Sequence, residues 1–524
     1  MPAPAQQTRT AEATRTVVLL LPEALGDLDA AALRSALNAL PATARTLACV
    51  ARPPTASFAT ILGELAGDAQ ILLGPDIEAP ATRAFVLRAP PSTLPEQQIE
   101  FAIALSDVVL IAPRSPQAAV IRHLSELKKP TISLGEPVPA VPPLGKATHR
   151  LDPEVPGWHA WGRWWFGRPE QTIMECLAFA WRGWNRAGLA ESGKKLLQCA
   201  SKWRPKAYFP KGWKELAPDR GALDATSPIV SRFEAMDRSA LHGSYIHRDL
   251  IWVTHLGAAF AVLCAVTGQL FEGRWGWGVA EFAALVAVGA LVVWAQWIKL
   301  QERWTACRLG AEQLRIARMS LPLLVLPPAL ATADTPVTAS HSPAGEIEIE
   351  HAALADVKRA VREQGLPKLD PSLTPSRAAD WLRLIVADQI EYHYRNHHKL
   401  ERAETRLGRA SWAFFVASLA AVLAHFFYDT HLILLATAAG PAFAAALHGA
   451  GTRLGIVHRA ALSHDMELQL KEIDHNLEKI ITASAVTVDA WAEVRRLAYK
   501  AAEAMGVENT SWLSLVRRYK DEMP

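Results

Sequence analysis

The sequence predicts an α/β amino-terminal domain followed by an all-α membrane region with four transmembrane helices in two hairpins. Three observations carry that prediction. Short apolar runs alternate with helical periodicity from Thr16 to Leu134. Four nearly uncharged stretches of membrane length follow, in two closely spaced pairs. Lys and Arg gather outside those pairs and are scarce in the turns that join them.

Residues 1–14, rich in Ala, Pro, Thr and Gln, read as a disordered leader. Over 15–150, runs at Val17 to Leu21, Leu47 to Ala51, Ile71 to Leu73, Phe85 to Leu87, Val108 to Ala112 and Thr131 to Leu134 have strand length. Helical spacing marks Ala30 to Ala39, Glu96 to Leu105 and Gln117 to Leu127. That alternation predicts a mostly parallel, Rossmann-like sheet. Residues 151–230 form a connector with eight of the eighteen tryptophans, interleaved with Arg and Lys. Core packing or a membrane interface suits it better than base stacking.

Ile251 to Phe271 runs 21 residues without a formal charge and Val279 to Ile298 runs 20 with only Glu281, close to the ~20 residues that cross a bilayer core. Ser411 to Tyr428 and His431 to Ala450, the latter interrupted by Pro441, repeat the pattern. Within fifteen residues outside the two pairs stand eleven Lys and Arg, against Arg274 alone in the turns. The positive-inside rule then puts both turns outside and both termini in the cytoplasm. Trp252, Trp275, Trp277, Trp294, Trp297 and Trp412 near the span ends read as interfacial anchors.

Amphipathic helix, hairpin and charged helix thus occur twice, in units at 231–325 and 348–480, separated by a Pro/Thr/Ala/Ser linker at 326–347 and followed by a helical tail at 481–524. Thr374 and Pro375 supply an N-cap and a first-turn proline for a long helix through Arg409.

Composition narrows the function classes. Mean hydropathy is +0.08 and net charge +3, so bulk charge gives no reason to expect nucleic acid as a partner. Five scattered cysteines without a CxxC pair speak against a disulfide framework or a zinc ribbon and point to a reducing compartment. The only early apolar run, Val17 to Leu21, is shorter than the ~7–15 residues of a secretory signal. The lipid bilayer and further copies of the chain are the expected macromolecular partners. No cofactor is called for: the first βα junction, Leu21 to Asp27, has one glycine where a dinucleotide fold carries GxGxxG.

The candidate ligand site lies at the crests of the sheet. Arg114, Ser115 and Gln117 follow a predicted strand and open a predicted helix, where free N–H groups and the helix dipole favour an anion. Asp107 stands before that strand, and Pro22 and Gly26 lie at the first crest. His247, Arg248 and Asp249 spell a kinase tripeptide, but the kinase's downstream elements are missing and a span begins two residues on. His393, His397 and His398 include an i, i+4 pair that could hold a metal, although a solvated helix surface is the expected reading. Inside the spans, His255, Glu281, His425 and His448 are costly in lipid, about 3 kcal/mol for a mid-depth carboxylate. They suit hydrogen bonds between helices of a bundle or oligomer, ahead of a proton or ion path.

The stretch Ile103 to Leu134, with Ser106-Asp107 before the strand and Lys129-Pro130 before the closing strand, resembles the last unit of SLOG and nucleoside deoxyribosyltransferase-like Rossmannoids, and more loosely TIR domains. The glutamate that deoxyribosyltransferase-like enzymes carry in this helix falls on Val120, which can do no acid, base or nucleophilic work. Glu126 is the alternative on a TIR-like reading. The resemblance therefore implies nucleotide binding without turnover, and no catalytic residue. The helix after the first hairpin, with Trp304, Arg308, Ala311, Glu312, Leu314 and Arg315, resembles SLATT domains, the transmembrane effector modules of bacterial SMODS and SLOG systems. The second unit keeps Arg453-Leu-Gly alone of that pattern. Together the two resemblances imply a membrane effector that senses a nucleotide-type ligand and then oligomerises or permeabilises the membrane in antiphage or stress defence. A membrane-anchored nucleotide or NAD glycohydrolase is the alternative.

Overall fold

The computed structural model describes residues 17–21, 30–38, 45–52, 54–65, 69–77, 79, 82, 84–89, 95–106, 108–111, 131–133, 216, 227–270, 274–327, 330, 344–367, 369, 373–428, 430–483 and 487–518. The leader, nearly all of the connector, most of the linker and the helix expected at Gln117 to Leu127 lie outside them.

Six strands form one parallel sheet: β1 (Val17–Leu20), β2 (Arg45–Val50), β3 (Gln70–Leu73), β4 (Phe85–Arg88), β5 (Val108–Ile111) and β6 (Thr131–Ser133), in the order β4-β3-β2-β1-β5-β6. The strands read as continuous apolar runs because both faces are covered. Val18, Leu20, Ala48, Val50, Ile71 and Leu73 point to one face, where α1 (Ala30–Asn38) contributes Leu33 and α2 (Ala56–Glu64) contributes Phe58, Ile61 and Leu62. The alternate residues Val17, Leu19, Leu47, Cys49 and Leu72 point to the other, with Phe101, Ala102 and Ile103 of α3 (Pro95–Leu105). The α2 helix answers to no expectation drawn from the sequence. Its signals are nonetheless there: Phe58, Ile61, Leu62 and Leu65 at helical spacing, and Thr55, whose Oγ1 accepts from the Phe58 N–H at 3.4 Å.

The helical region consists of α4 (Pro228–Leu270), α5 (Arg274–Trp297), α6 (Leu300–Ser320), α7 (Ala344–Gln364), α8 (Pro375–His425), α9 (His431–Arg453), α10 (Ile456–Ala483) and α11 (Val488–Arg518). Four helices are long and apolar enough to cross a membrane, α4, α5, α8 and α9 with its continuation. Their apolar side chains face outward where a bilayer would cover them: Phe282 and Val293 on α5, Phe415 and Leu419 on α8 are all more than half exposed. A soluble fold would bury such residues. At the start of α8, Thr374 Oγ1 accepts from the Arg377 N–H at 3.3 Å and Pro375 follows, as the cap and proline predict. The helix does not stop at Arg409. It continues through the span to His425, a rod of 51 residues, about 75 Å long.

α4 packs against α5, α6 and α9, and α8 against α9 and α10. Trp252 meets the second unit in the α4–α9 contact, with Ile251, Leu447, Ala450 and Leu454, and is 2% exposed. It is a core residue rather than the interfacial anchor expected. Trp275, Trp297 and Trp412 do stand out from the helices.

The core on the α3 side of the sheet does not end at the α/β domain. Ile229, Phe233 and Met236 of α4, Ala311, Leu314 and Ala317 of α6, and Val357, Ala360 and Val361 of α7 belong to the same buried cluster as Leu19 and Phe101. Polar ties reinforce it. Arg495 of α11 donates to Gln97 Oε1 on α3 at 3.1 Å and to the Leu323 and Leu324 carbonyls in the 3-10 turn that follows α6, both at 3.2 Å.

Candidate functional site

Parallel strands bring all their carboxyl ends to one edge of the sheet. β1 lies between β2 and β5, with Leu19 opposite Val109 and Leu20 opposite Leu110, so the chain reverses its direction of travel across the sheet between β1 and β5. Ligands of open α/β sheets sit at such a switch point. Five of the residues singled out from the sequence follow the carboxyl ends of these two strands, Pro22 and Gly26 after β1 and Arg114, Ser115 and Gln117 after β5, whereas Asp107 precedes β5 and adjoins its amino end, away from the expected crest. Two crests separated by some ninety residues of sequence thus start from neighbouring strands. The six residues themselves, together with Val120 and Glu126, lie outside the described residues. Ser106 is described: its Oγ donates to the Ile103 carbonyl at 2.8 Å and closes α3.

A second polar constellation sits between the sheet and the spans, on α6. Arg308, Glu312 and Arg315 recur at four- and three-residue spacing and share one face of α6. Glu312 lies 2.8 Å from Arg315 and 3.6 Å from Arg308. Arg315 also reaches Asp237 of α4 at 4.0 Å, and its guanidinium and that of Arg318 lie over the Phe233 ring. Burial would raise the Glu312 carboxyl, but Arg315 and Arg308 outweigh it and hold the group below its ordinary value. Glu508 of α11 faces the same group with the opposite outcome: burial pushes it up to about 7 against the pull of Arg308. Burial likewise lowers Arg318 to about 9 and Arg495 to about 10.

Next to this cluster is a pocket at the boundary of the spans. Arg248 lies one turn before the first span, Arg453 and Arg459 flank the α9–α10 junction, and Trp304, Gln301 and Trp512 complete the wall. Trp304 and Trp512 meet edge to face at 4.9 Å, and Arg308 covers Trp512 at 5.2 Å. Three guanidiniums line this pocket with no carboxylate among its lining residues. Guanidinium groups pair well with phosphate and other anions. The His247-Arg248-Asp249 tripeptide, which has no kinase context, is part of this region.

The four intramembrane polar residues do not converge. His255 is held by its own helix, Nδ1 to the Ile251 carbonyl at 2.8 Å, and packs against Gly449 of α9, where an added Cβ would come within 3.0 Å of the ring. His425 and His448 are exposed on the helix surface, and Glu281 is half-buried on α5. No hydrogen bond joins any two of them among the described residues. The sequence expected His393 and His397 on a solvated helix surface, yet His393 is 2% exposed and His397 is largely covered by α10. The face of α8 that carries them packs on a second helix, which its polarity conceals. Compared with family models, curated proteins and solved structures, the chain matches none of them.

Proposed function

We propose that this protein is a membrane effector whose Rossmann-like domain senses a nucleotide-type ligand and whose membrane region, two hairpins in the cytoplasmic membrane of a bacterium, responds by oligomerising or permeabilising it. Both termini are cytoplasmic in this reading, and antiphage or stress defence is the setting that the SLOG and SLATT resemblances imply. The observation that supports it most is the shared core. A ligand at the β1/β5 crest acts on a sheet whose underside packs against α4 and α6, and α4 runs without a break into the membrane. Sensor and span therefore have a direct mechanical connection. The α6 charge cluster and the arginine-lined pocket stand between the two.

The test is dye release from liposomes containing the full-length protein, challenged with a panel of linear and cyclic nucleotides while the same samples are analysed for products. Release by one nucleotide class, with that nucleotide recovered intact, is the expected result. Nucleobase release without leakage would replace this reading with the glycohydrolase. Leakage indifferent to every nucleotide would remove the sensor from it.

A further inference from the structure

Below the spans, α8 and α10 run against each other, and their contact contains a set of side chains that the sensor–effector reading does not use. His397 projects from α8. His464 and Glu467, three residues apart, project from one face of α10. One donor atom from each lies within 4.8 Å of the other two. The His397 and His464 ring centroids are 4.7 Å apart, and His397 Nδ1 is 3.9 Å from Glu467 Oε2.

Three details distinguish this set from a chance surface cluster. His397 Nδ1 is buried and makes no hydrogen bond, while Nε2 lies 3.0 Å from Glu401 Oε1. A carboxylate on one ring nitrogen with the other left bare is how metal-bound histidines are oriented. Glu467 is 4% exposed, and Lys471 holds only its Oε1, at 2.6 Å. Its Oε2 is turned toward His397. The helices are also pinned at this level, where Asn396 Nδ2 donates to Ser463 Oγ at 2.7 Å.

We propose that His397, His464 and Glu467 form a binding site for a divalent transition metal of zinc type. Two imidazoles and one carboxylate suit Zn2+, whereas Mg2+ and Ca2+ require oxygen ligands throughout. Bonds of about 2.0–2.1 Å in a tetrahedral shell place ligand atoms about 3.3 Å apart, so donor atoms now within 4.8 Å of one another need to draw together by at most about 1.5 Å. His464 is exposed, which leaves a fourth position open to water. The metal would cross-link α8, the helix that continues into the third span, to α10. His398 and Glu401 with His397 form a rival trio on α8 alone, but both are more than 40% exposed and no second helix contributes a ligand to it.

Tag-free full-length protein in detergent, stripped with chelator, would be titrated with Zn2+ by calorimetry and counted by elemental analysis, with Co2+ as a spectroscopic substitute. We expect one Zn2+ per chain, no binding of Mg2+ at the same concentrations, and a visible Co2+ spectrum of tetrahedral type. His464→Ala, on an exposed position that leaves the fold intact, and Glu467→Gln should each weaken binding at least tenfold. Glu401→Gln should weaken it about tenfold through the lost orienting bond. His398→Ala should leave it unchanged. Zn2+ binding that survives His464→Ala and is lost in His398→Ala would move the site to the single-helix trio, and no saturable binding by the wild type would end the proposal.

Discussion

Glu312 and Glu508 are carboxylates of the same cluster, and their opposite shifts show what flanking charge does at a buried position. Glu312 sits between two guanidiniums on its own helix. Removing its charge leaves Arg308 and Arg315 facing each other in a poorly hydrated space, and breaking a buried ion group in this way costs about 3–5 kcal/mol. Glu312→Gln should therefore lower the melting temperature sharply. Glu508 is the reverse case. Its folded value near 7 lies above the ordinary 4.5, so the folded protein holds a proton that the unfolded chain has lost between those two values. The contribution of this residue to stability thus falls as pH rises from about 4.5 to 7 and is flat above that. Glu508→Gln should gain roughly 1–3 kcal/mol over the wild type at pH 8 and nothing at pH 4.5. Thermal melts in detergent at the two pH values measure it, and an equal effect at both would place Glu508 outside the cluster. None of this pairing is legible in the sequence beyond the spacing of Arg308, Glu312 and Arg315. Asp237, Arg459 and Glu508 come from other helices, and a single chain read linearly carries no sign of which faces meet.

The helices show where local signals suffice. Thr374-Pro375 marks the start of α8, and the four apolar stretches mark the spans, because capping and hydropathy are properties of short segments. The fusion of stalk and span into one rod is less visible: the charged face of α8 up to Arg409 and the apolar stretch from Ser411 look like separate elements until the backbone is seen to continue. The helices α6 and α10 each follow a residue in the left-handed conformation, Lys299 at φ 50° before α6 and Gly455 at φ 59° before α10. Glycine adopts this conformation freely and lysine does not. Lys299→Gly should then stabilise the protein by about 1 kcal/mol, and Gly455→Ala should destabilise it by about the same amount. Two melting curves decide the pair, and a loss on Lys299→Gly would mean that its positive charge at the span end outweighs the backbone term.

At the scale of the whole molecule, strands buried on both faces announce that something covers each side, but not what. The α/β domain looks separable in the sequence because a long Trp-rich connector divides it from the spans. Its packing contradicts that appearance. Phe233 and Met236 of α4, Leu314 of α6, and Val357 and Val361 of α7 are each at most 3% exposed in the core they share with the sheet and α3. Burying a side chain of this size contributes about 1.5–3 kcal/mol, so the five together approach 10 kcal/mol. An entire domain has a net stability of only ~5–15 kcal/mol. A fragment limited to residues 15–150 should therefore lack a cooperative thermal transition and bind a hydrophobic dye. Full-length protein should melt cooperatively, and Phe233→Ala within it should cost about 3–5 kcal/mol by the cavity it leaves. A sharp transition in the fragment with no dye binding would show the sheet to be independent of the bundle, and would take with it the mechanical connection from ligand crest to membrane on which the sensor–effector reading depends.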